Sequence, residues 1–202
     1  EEVINIVEYP TVLMGELDYE YLKLPTEVIV TPMKDHQRYF PIVDDNENLM
    51  PYFLLVRNGD DYAKENVING NKKVLTARLE DAKFFYDIDK SKKLEEYVEE
   101  LKKLTFFEGL GSVYQKTQRL VALSKNYLEE FKLGEDVSDN LLRAAYLSKA
   151  DLVTKMVIEF TELQGTMGRI YAIDSEENTQ VAKAIEESYK PRSSEDSLPE
   201  SV

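Results

Sequence analysis

One carboxylate in this chain stands where a carboxylate is costly. Asp151 lies within residues 147–160, whose apolar positions recur at the spacing of one buried helix face: Leu147, Leu152, Val153, Met156, Val157 and Phe160. An unpaired carboxylate on such a face loses its hydration without compensation. Gly165 and Gly168 follow, and they predict a tight turn close to another element. The pattern indicates either a functional site or the structural remnant of one.

Histidine and cysteine usage excludes several kinds of chemistry. His36, in MKDHQRYF, is the only histidine and there is no cysteine. Multi-histidine metal sites, histidine-based triads, thiolate metal sites and disulfides are therefore impossible. Asp35 and His36 would point to opposite faces of a strand. A surface or turn position is favoured over catalysis for His36.

The segment AAYLSKADLVTK permits one enzymatic comparison. It resembles the A-x-L-x-H-D helix of HD-type metal-dependent phosphohydrolases, with Ala150-Asp151 in place of the metal-binding pair. No histidine after His36 can supply the other ligands, and one remaining oxygen ligand does not make a metal site. The segment thus resembles that fold without its metal chemistry. Asp151 is then predicted to be a structural hydrogen-bond acceptor where helices pack.

The chain divides by composition into two zones. Residues 1–88 contain the short runs TEVIVTP, RYFPIVD and PYFLLVRN, which predict strands separated by turns at Pro32, Asp44–Asn48 and Asn58-Gly59. A short helix is expected to open this zone, and another is predicted near Val74–Phe85. The zone is predicted to be an α+β module.

Residues 89–202 are predicted to be helical. Ser112 and Gln115 form a capping box for a helix that runs through Phe131 and stops near Gly134. Ser138 is expected to cap the next helix, which would carry Asp151. A last amphipathic helix is predicted over about Thr179–Tyr189, before Pro191. The fold class is accordingly α+β, an α+β module followed by an all-α domain.

Charge is unevenly distributed along the chain. The formal net charge is −14, which argues against a general polyanion binder, but residues 72–119 hold eleven basic and nine acidic side chains. Pairing of neighbouring charges on helix surfaces, as in KKLEEYVEELKK, explains much of this region. Alternatively, a basic strip on an acidic body could guide an RNA backbone.

The ends of the chain and its hydropathy indicate location. No apolar run reaches the roughly 18 residues of a membrane span, and no secretory signal opens the chain. Glu1 begins in what resembles the middle of a helix, and Val202 follows the polar stretch SSEDSLPES. We expect an excised piece of a longer cytoplasmic protein.

Four blocks carry a resemblance to a known family. They are MKDHQRYFP (33–41), GNKKVLTARLEDAKFFYDID (70–89), LGSVYQKTQRL (110–120) and LSKADLVTKMVIEFTELQGTMGRIYA (147–172). On these blocks the chain resembles an internal portion of the β subunit of bacterial heterotetrameric glycyl-tRNA synthetase, and EF-x-ELQG-x-MG is the most specific run. Gln115 and Ile170 depart from the usual family residues. Roles at those two positions are therefore not carried over.

The resemblance implies an architecture and a division of labour. In that family the α subunit holds the active site and uses ATP and Mg²⁺, while the β subunit contributes most of the tRNA binding. Residues 1–88 would be the C-terminal part of a B3/B4-like module, and residues 89–202 a degenerate HD-like domain. The fragment alone would be inactive, with no catalytic residue, metal or cofactor. Its expected partners are the α subunit and glycine tRNA, without DNA or membrane.

The candidate RNA contacts are inferred from the residues themselves. Lys116 and Arg119 are three apart, so they share a helix face that could hold adjacent phosphates. The alternatives are salt bridges for the basic residues, a core position for Tyr39 or Phe40, and a link between the domains through Arg78. The full set is Lys72, Lys73, Arg78, Lys116 and Arg119, followed by His36, Arg38 and Tyr39.

Three functions of different class remain open at this point. The first is an RNA-binding and assembly fragment of glycine–tRNA ligase. The second is a purely structural connector that contacts the α subunit or other β regions but no RNA. The third is a residual HD-type metal phosphohydrolase, against which the histidine count already argues.

Overall fold

The computed structural model of the chain describes residues 2–132 and 134–200. It divides the chain into two compact units, residues 1–84 and residues 85–202. Helices and two small antiparallel sheets make up these units. The predicted α+β class is confirmed.

The first unit contains a three-stranded antiparallel sheet. Its strands are β1 (Pro10–Glu16), β2 (Phe40–Val43) and β3 (Leu49–Asn58), in the order β1-β3-β2. Gly15 of β1 lies opposite Phe53 of β3, and a β-carbon at Gly15 would overlap the Phe53 ring. A glycine at this position therefore lets the fully buried Phe53 ring lie flat on the sheet. The predicted strands in RYFPIVD and PYFLLVRN, with the turn at Asp44–Asn48, are confirmed.

A short helix, α1 (Glu2–Asn5), precedes the sheet, and short helical segments join β1 to β2. These are a 3-10 turn at Tyr19–Lys23, α2 (Thr26–Thr31) and a π-helical turn at Pro32–His36. The strand predicted for TEVIVTP was wrong, because that segment is α2. Val28, Ile29 and Met33 are all buried, and their spacing fits one helix face better than one strand face. Tertiary packing has overridden the strand preference of the β-branched residues.

The helix α3 (Lys64–Asp89) begins in the first unit and ends in the second. Leu75, Leu79 and Ala82 are fully buried on one face, as predicted for the segment near Val74–Phe85. The helix is longer than predicted at its start. The residues there, ENVINGN, are weak helix formers, so local propensity does not show the extension.

The second unit consists of five helices, a small hairpin and several 3-10 turns in its described residues. The helices are α4 (Val113–Phe131), α5 (Glu135–Leu147), α6 (Lys155–Glu159), α7 (Thr166–Asp174) and α8 (Thr179–Glu187). The hairpin pairs β4 (Thr105–Phe107) with β5 (Gly111–Ser112). The 3-10 turns lie at Leu94–Tyr97, Glu99–Lys103, Ala150–Val153 and Thr161–Leu163. Helix α5 packs between α4 and α8, and α7 packs on α8.

The capping box of α4 is confirmed. The Gln115 amide donates to Ser112 Oγ at 3.3 Å, and Gln115 Oε1 accepts from the Ser112 amide at 2.9 Å. The last predicted helix is also confirmed as α8, with Val181, Ala182 and Ile185 buried. In both elements, the sequence pattern that predicts the structure lies in residues close together along the chain.

Two helix predictions in the second unit were wrong. Ser138 does not cap α5, because Gly134 is the N-cap and Ser138 Oγ donates to the Gly134 carbonyl at 2.9 Å. The helix also ends at Leu147, so Asp151 lies in the 3-10 turn that follows. Thr154 caps α6 through the Val157 amide, and such side-chain bonds compete with a continuous helix.

The segment KKLEEYVEELKK forms two 3-10 turns rather than one α-helix. Its charged side chains pair three and eight residues apart: Lys102 with Glu99 at 2.5 Å, and Lys92 with Glu100 at 3.0 Å.

Across residues 2–132 and 134–200, we find no helix with both the length and the apolarity that crossing a membrane requires.

Candidate nucleic-acid interface

Asp151 is fully buried in the second unit. Its Oδ2 accepts a hydrogen bond from the Gly165 amide at 2.6 Å. Gly165 has φ +81°, and a β-carbon there would overlap the Tyr189 ring. A β-carbon at Gly168 would be 2.6 Å from Ile185 Cγ2 and 3.2 Å from Asp151 Oδ2. The two glycines thus allow the backbone to approach this carboxylate closely.

The environment of Asp151 disfavours its charged form. Burial raises its pKa to about 6, against the opposing effects of the Gly165 amide and the Lys149 ammonium. Asp151 Oδ1 and the Tyr189 hydroxyl are both buried without a hydrogen-bond partner in the described chain. Within the same residues, no three His, Cys, Asp or Glu side chains are grouped so that they could hold a metal ion. The hydrogen bond from the Gly165 amide is one that a structural acceptor would make where helices pack.

Asp89 is a second buried carboxylate, and the sequence reasoning missed it. Its side chain accepts from the Lys155 amide at 2.9 Å, from the Met156 amide at 2.8 Å and from the Tyr171 hydroxyl at 2.9 Å. The Asp89 carbonyl accepts from the Tyr97 hydroxyl at 3.1 Å. Asp89 therefore fixes the start of α6. The sequence signal for a buried carboxylate was the position of Asp89 at the end of FFYDID, a run that mixes apolar and acidic residues.

Lys116 and Arg119 of α4 both lie against the β4–β5 hairpin. Lys116 Nζ is 4.1 Å from the centre of the Phe106 ring. Arg119 Nη1 donates to the Leu110 carbonyl at 3.3 Å. No carboxylate pairs with either side chain in residues 2–132 and 134–200. The structure therefore places these two predicted residues together, as unpaired cations.

The same hairpin exposes large apolar side chains. Phe106 is 41% exposed, Phe107 65% and Leu110 54%. With Lys116 and Arg119 they form a surface of cations and accessible rings, which we call the hairpin surface. Such a surface can neutralise phosphates and stack on unpaired bases. Sequence reasoning missed its apolar part, although the FF pair before the turn EGLG was a signal.

In the first unit, the candidate cations mostly have partners of their own. Lys72 Nζ is 3.4 Å from Asp18 Oδ1. Arg78 is half-buried and already interacts within the chain. Lys73 is exposed and has no ionic partner among the described residues. Of the three, only Lys73 offers a free charge in this structure.

The basic–aromatic run at His36 is also largely engaged. His36 is half-buried in the π-helical turn, Arg38 is exposed with φ 55°, and both interact within the chain. Tyr39 is buried, stacks on Phe53 with ring centres 5.1 Å apart and donates from its hydroxyl to Asn71. Burial raises the pKa of the Tyr39 phenol. In this packing the Tyr39 ring is not accessible to a base, whereas Phe40 is 46% exposed.

Cations beside exposed rings make the hairpin surface a candidate for contact with nucleic acid. Comparison with known proteins gives the family. The glycyl-tRNA synthetase beta subunit family matches residues 1–202, so the chain belongs to that family. This confirms the resemblance carried by the four sequence blocks.

Close relatives are each named glycine–tRNA ligase beta subunit. The chain is 51% identical to the protein of Ligilactobacillus salivarius over 100% of its length and 53% identical to that of Clostridioides difficile over 98%. It is 47% identical to that of Bacillus subtilis over 96%. The chain spans 29% of the length of the first two relatives and 28% of the third.

Proposed function

We propose that this chain contributes tRNA binding and subunit assembly to an ATP-dependent glycine–tRNA ligase. The proposal rests on membership of the β-subunit family over the whole chain. The catalytic centre, with its ATP and Mg²⁺, is assigned to a separate α subunit. The chain alone would then be inactive in glycylation.

The RNA-binding part of the proposal rests on two cations of the hairpin surface that lack a carboxylate partner among the described residues. The chain holds 39 acidic and 25 basic residues, so a cation without an acidic partner is unexpected. Lys116 and Arg119 nevertheless face exposed rings and a backbone carbonyl instead of carboxylates. An RNA phosphate is the anion that such a surface accommodates.

The mode of binding follows from the chemistry of the surface. Lys116 and Arg119 would hold neighbouring phosphates, and Phe107 would stack on an unpaired base. The acidic remainder of the chain would repel RNA elsewhere, which favours one orientation. Affinity would be modest and salt-dependent, because few phosphates are contacted.

We further propose counterparts for the two units. Residues 1–84 would correspond to part of a B3/B4-like module and residues 85–202 to an HD-like helical domain. In the second unit, Asp151 would remain as a hydrogen-bond acceptor for the Gly165 amide, without a metal. The unit would act as a scaffold for the hairpin surface.

A structural connector is the second candidate. It is favoured by the engagement of Lys72, Arg78 and His36 within the chain. A connector would bind the α subunit or other β regions and leave isolated tRNA unbound. Capture of the α subunit without tRNA binding would support this alternative.

Fluorescence anisotropy with labelled glycine tRNA, at low and moderate salt, tests the proposal. We expect salt-sensitive binding that the double variant Lys116→Ala/Arg119→Ala loses. Lys125→Ala is the matched control, since Lys125 is exposed nine residues further along α4 and so on the face opposite Lys116. Absence of binding at low salt, or an equal loss in the control, would contradict the proposal.

A further inference from the structure

Two cations lie beside the Tyr189 ring in the second unit. Lys149 Nζ lies 3.6 Å from the centre of the Tyr189 ring, and the Arg192 guanidinium carbon lies 5.9 Å from it. Besides burial, repulsion from the charge of Lys116 on α4 lowers the pKa of Lys149. We call Lys149, Tyr189 and Arg192 the Tyr189 cluster.

Neither of these two cations has a carboxylate partner within salt-bridge distance in residues 2–132 and 134–200. The polar contact of Lys149 Nζ is the Ser188 hydroxyl at 3.5 Å. The Arg192 guanidinium donates to the carbonyls of Glu162 at 3.1 Å and Gln164 at 2.7 Å. A half-buried cation in an acidic chain normally pairs with a carboxylate.

The local carboxylate does not satisfy Lys149. Asp151 attracts the ammonium, but its Oδ2 is engaged by the Gly165 amide. Burial and repulsion from Lys116 outweigh this attraction and lower the pKa of Lys149 to about 8. An added anion would stabilise the buried ammonium and offset the repulsion from Lys116.

We propose that Lys149 and Arg192 together bind a phosphate group. An ammonium and a guanidinium group beside one ring, neither of them salt-bridged to a carboxylate, match the several acceptor oxygens of a phosphate. The phosphate belongs either to a tRNA backbone or to a free phosphate compound. The tRNA source rests on the function proposed above, whereas the site itself does not.

Competitive labelling tests the site without RNA. Brief acetylation of the 202-residue chain at pH 8, read by mass spectrometry, reports the reactivity of each lysine. Millimolar pyrophosphate is expected to slow labelling of Lys149 several-fold and to leave the exposed Lys125 unchanged. Equal labelling of Lys149 with and without pyrophosphate, when tRNA also gives no protection, overturns the site.

Glycine tRNA in place of pyrophosphate tests the source. Lys149→Gln is expected to weaken tRNA binding roughly tenfold at pH 7 and to reduce the slope of log affinity against log salt by about one. Lys149→Arg should retain binding, and Lys125→Gln should have no effect. Retained binding in Lys149→Arg and Lys125→Gln would show that a loss in Lys149→Gln reflects the missing charge and not misfolding.

The pH profile gives a readout that a structural role would not share. The groups facing Lys149 are Asp151, Lys116, Tyr189 and Arg192. Binding requires the ammonium, so wild-type affinity should fall as pH rises through about 8. Asp151, with a pKa of about 6, is already ionised across pH 7 to 9. Lys149→Arg should remove this decline.

The outcomes separate the two proposals. Protection by pyrophosphate without tRNA binding assigns the site to a free phosphate compound and overturns the RNA source. Binding of tRNA that depends on Arg119 but leaves Lys149 unprotected overturns the site and keeps the proposed function. Failure of both probes overturns both.

Discussion

Basic residues in the two units have different environments, although their sequence context is similar. In the first unit Lys72 pairs with Asp18 at 3.4 Å and Lys83 with Glu20 at 2.9 Å. In the second unit Lys116 and Lys149 face aromatic rings, at 4.1 and 3.6 Å. Charge that is neutralised within the chain contributes to the fold, whereas unpaired charge is available to a ligand.

The difference is local, because the second unit also contains ordinary ion pairs. Arg143 bonds Glu177 at 2.6 Å and Glu95 at 2.9 Å. Two buried carboxylates of this unit have a different use. Asp89 and Asp151 accept hydrogen bonds from backbone amides.

Removing the Asp89 carboxylate should have the largest effect. Asp89→Ala leaves two buried amides and the Tyr171 hydroxyl without their acceptor, so we expect a loss of about 3 kcal/mol in the free energy of unfolding. Urea denaturation measures it. The control is Asp87→Ala, exposed on the same helix, and equal losses in the two variants would contradict the assigned role.

The Asp151 carboxylate should make stability depend on pH. Its folded pKa, about 6, lies above the unfolded value, so its stabilising contribution is complete at pH below about 4 and is lost as pH rises through 6. The loss is about 2–3 kcal/mol. As the pH rises from 4 to 7, the Asp151→Asn variant should therefore become more stable relative to wild type, because asparagine does not ionise. Parallel profiles for the two proteins would contradict this.

The exposed ring of Phe107 should contribute to RNA binding without stabilising the fold. Phe107→Ala removes a stacking surface, and we expect tRNA affinity to fall by about 1–2 kcal/mol. Phe107→Trp should retain the affinity. Since the side chain is 65% exposed, the melting temperature should hardly change, and a large decrease would indicate a structural role instead.

Freeing a paired cation in the first unit should have the smallest effect. Asp18→Asn releases Lys72 from its ion pair, both side chains of which are partly exposed. The free energy of unfolding should change by less than about 0.5 kcal/mol. Affinity for tRNA should rise slightly at low salt if Lys72 becomes available, and a decrease would show that the ion pair itself supports binding.

Adjacent residues predicted the elements whose signals are local. The capping box of Ser112 and Gln115, the hairpin turn at Asp44–Asn48 and the amphipathic α8 are of this kind. The strand predicted at TEVIVTP failed because burial of Val28 and Ile29 depends on distant partners. The helix predicted through Asp151 failed because Thr154 caps a new helix.

The same limit applies to the candidate sites. The shared face of Lys116 and Arg119 follows from helix geometry, so the sequence predicted their proximity. The Tyr189 cluster joins Lys149 to Tyr189, 40 positions further along the chain, and no local pattern marks Lys149. Pairing of Lys72 with Asp18 likewise depends on tertiary contact.

A comparison of two double variants tests the contrast between the units most directly. Glycine tRNA affinity would be measured at low salt for Lys116→Ala/Arg119→Ala and for Lys72→Ala/Lys83→Ala. Each removes two positive charges, so net charge is matched. We predict a loss of at least about tenfold for the first variant and less than about twofold for the second. Equal losses would mean that only net charge matters, and a larger loss in the second would place the RNA contact in the first unit.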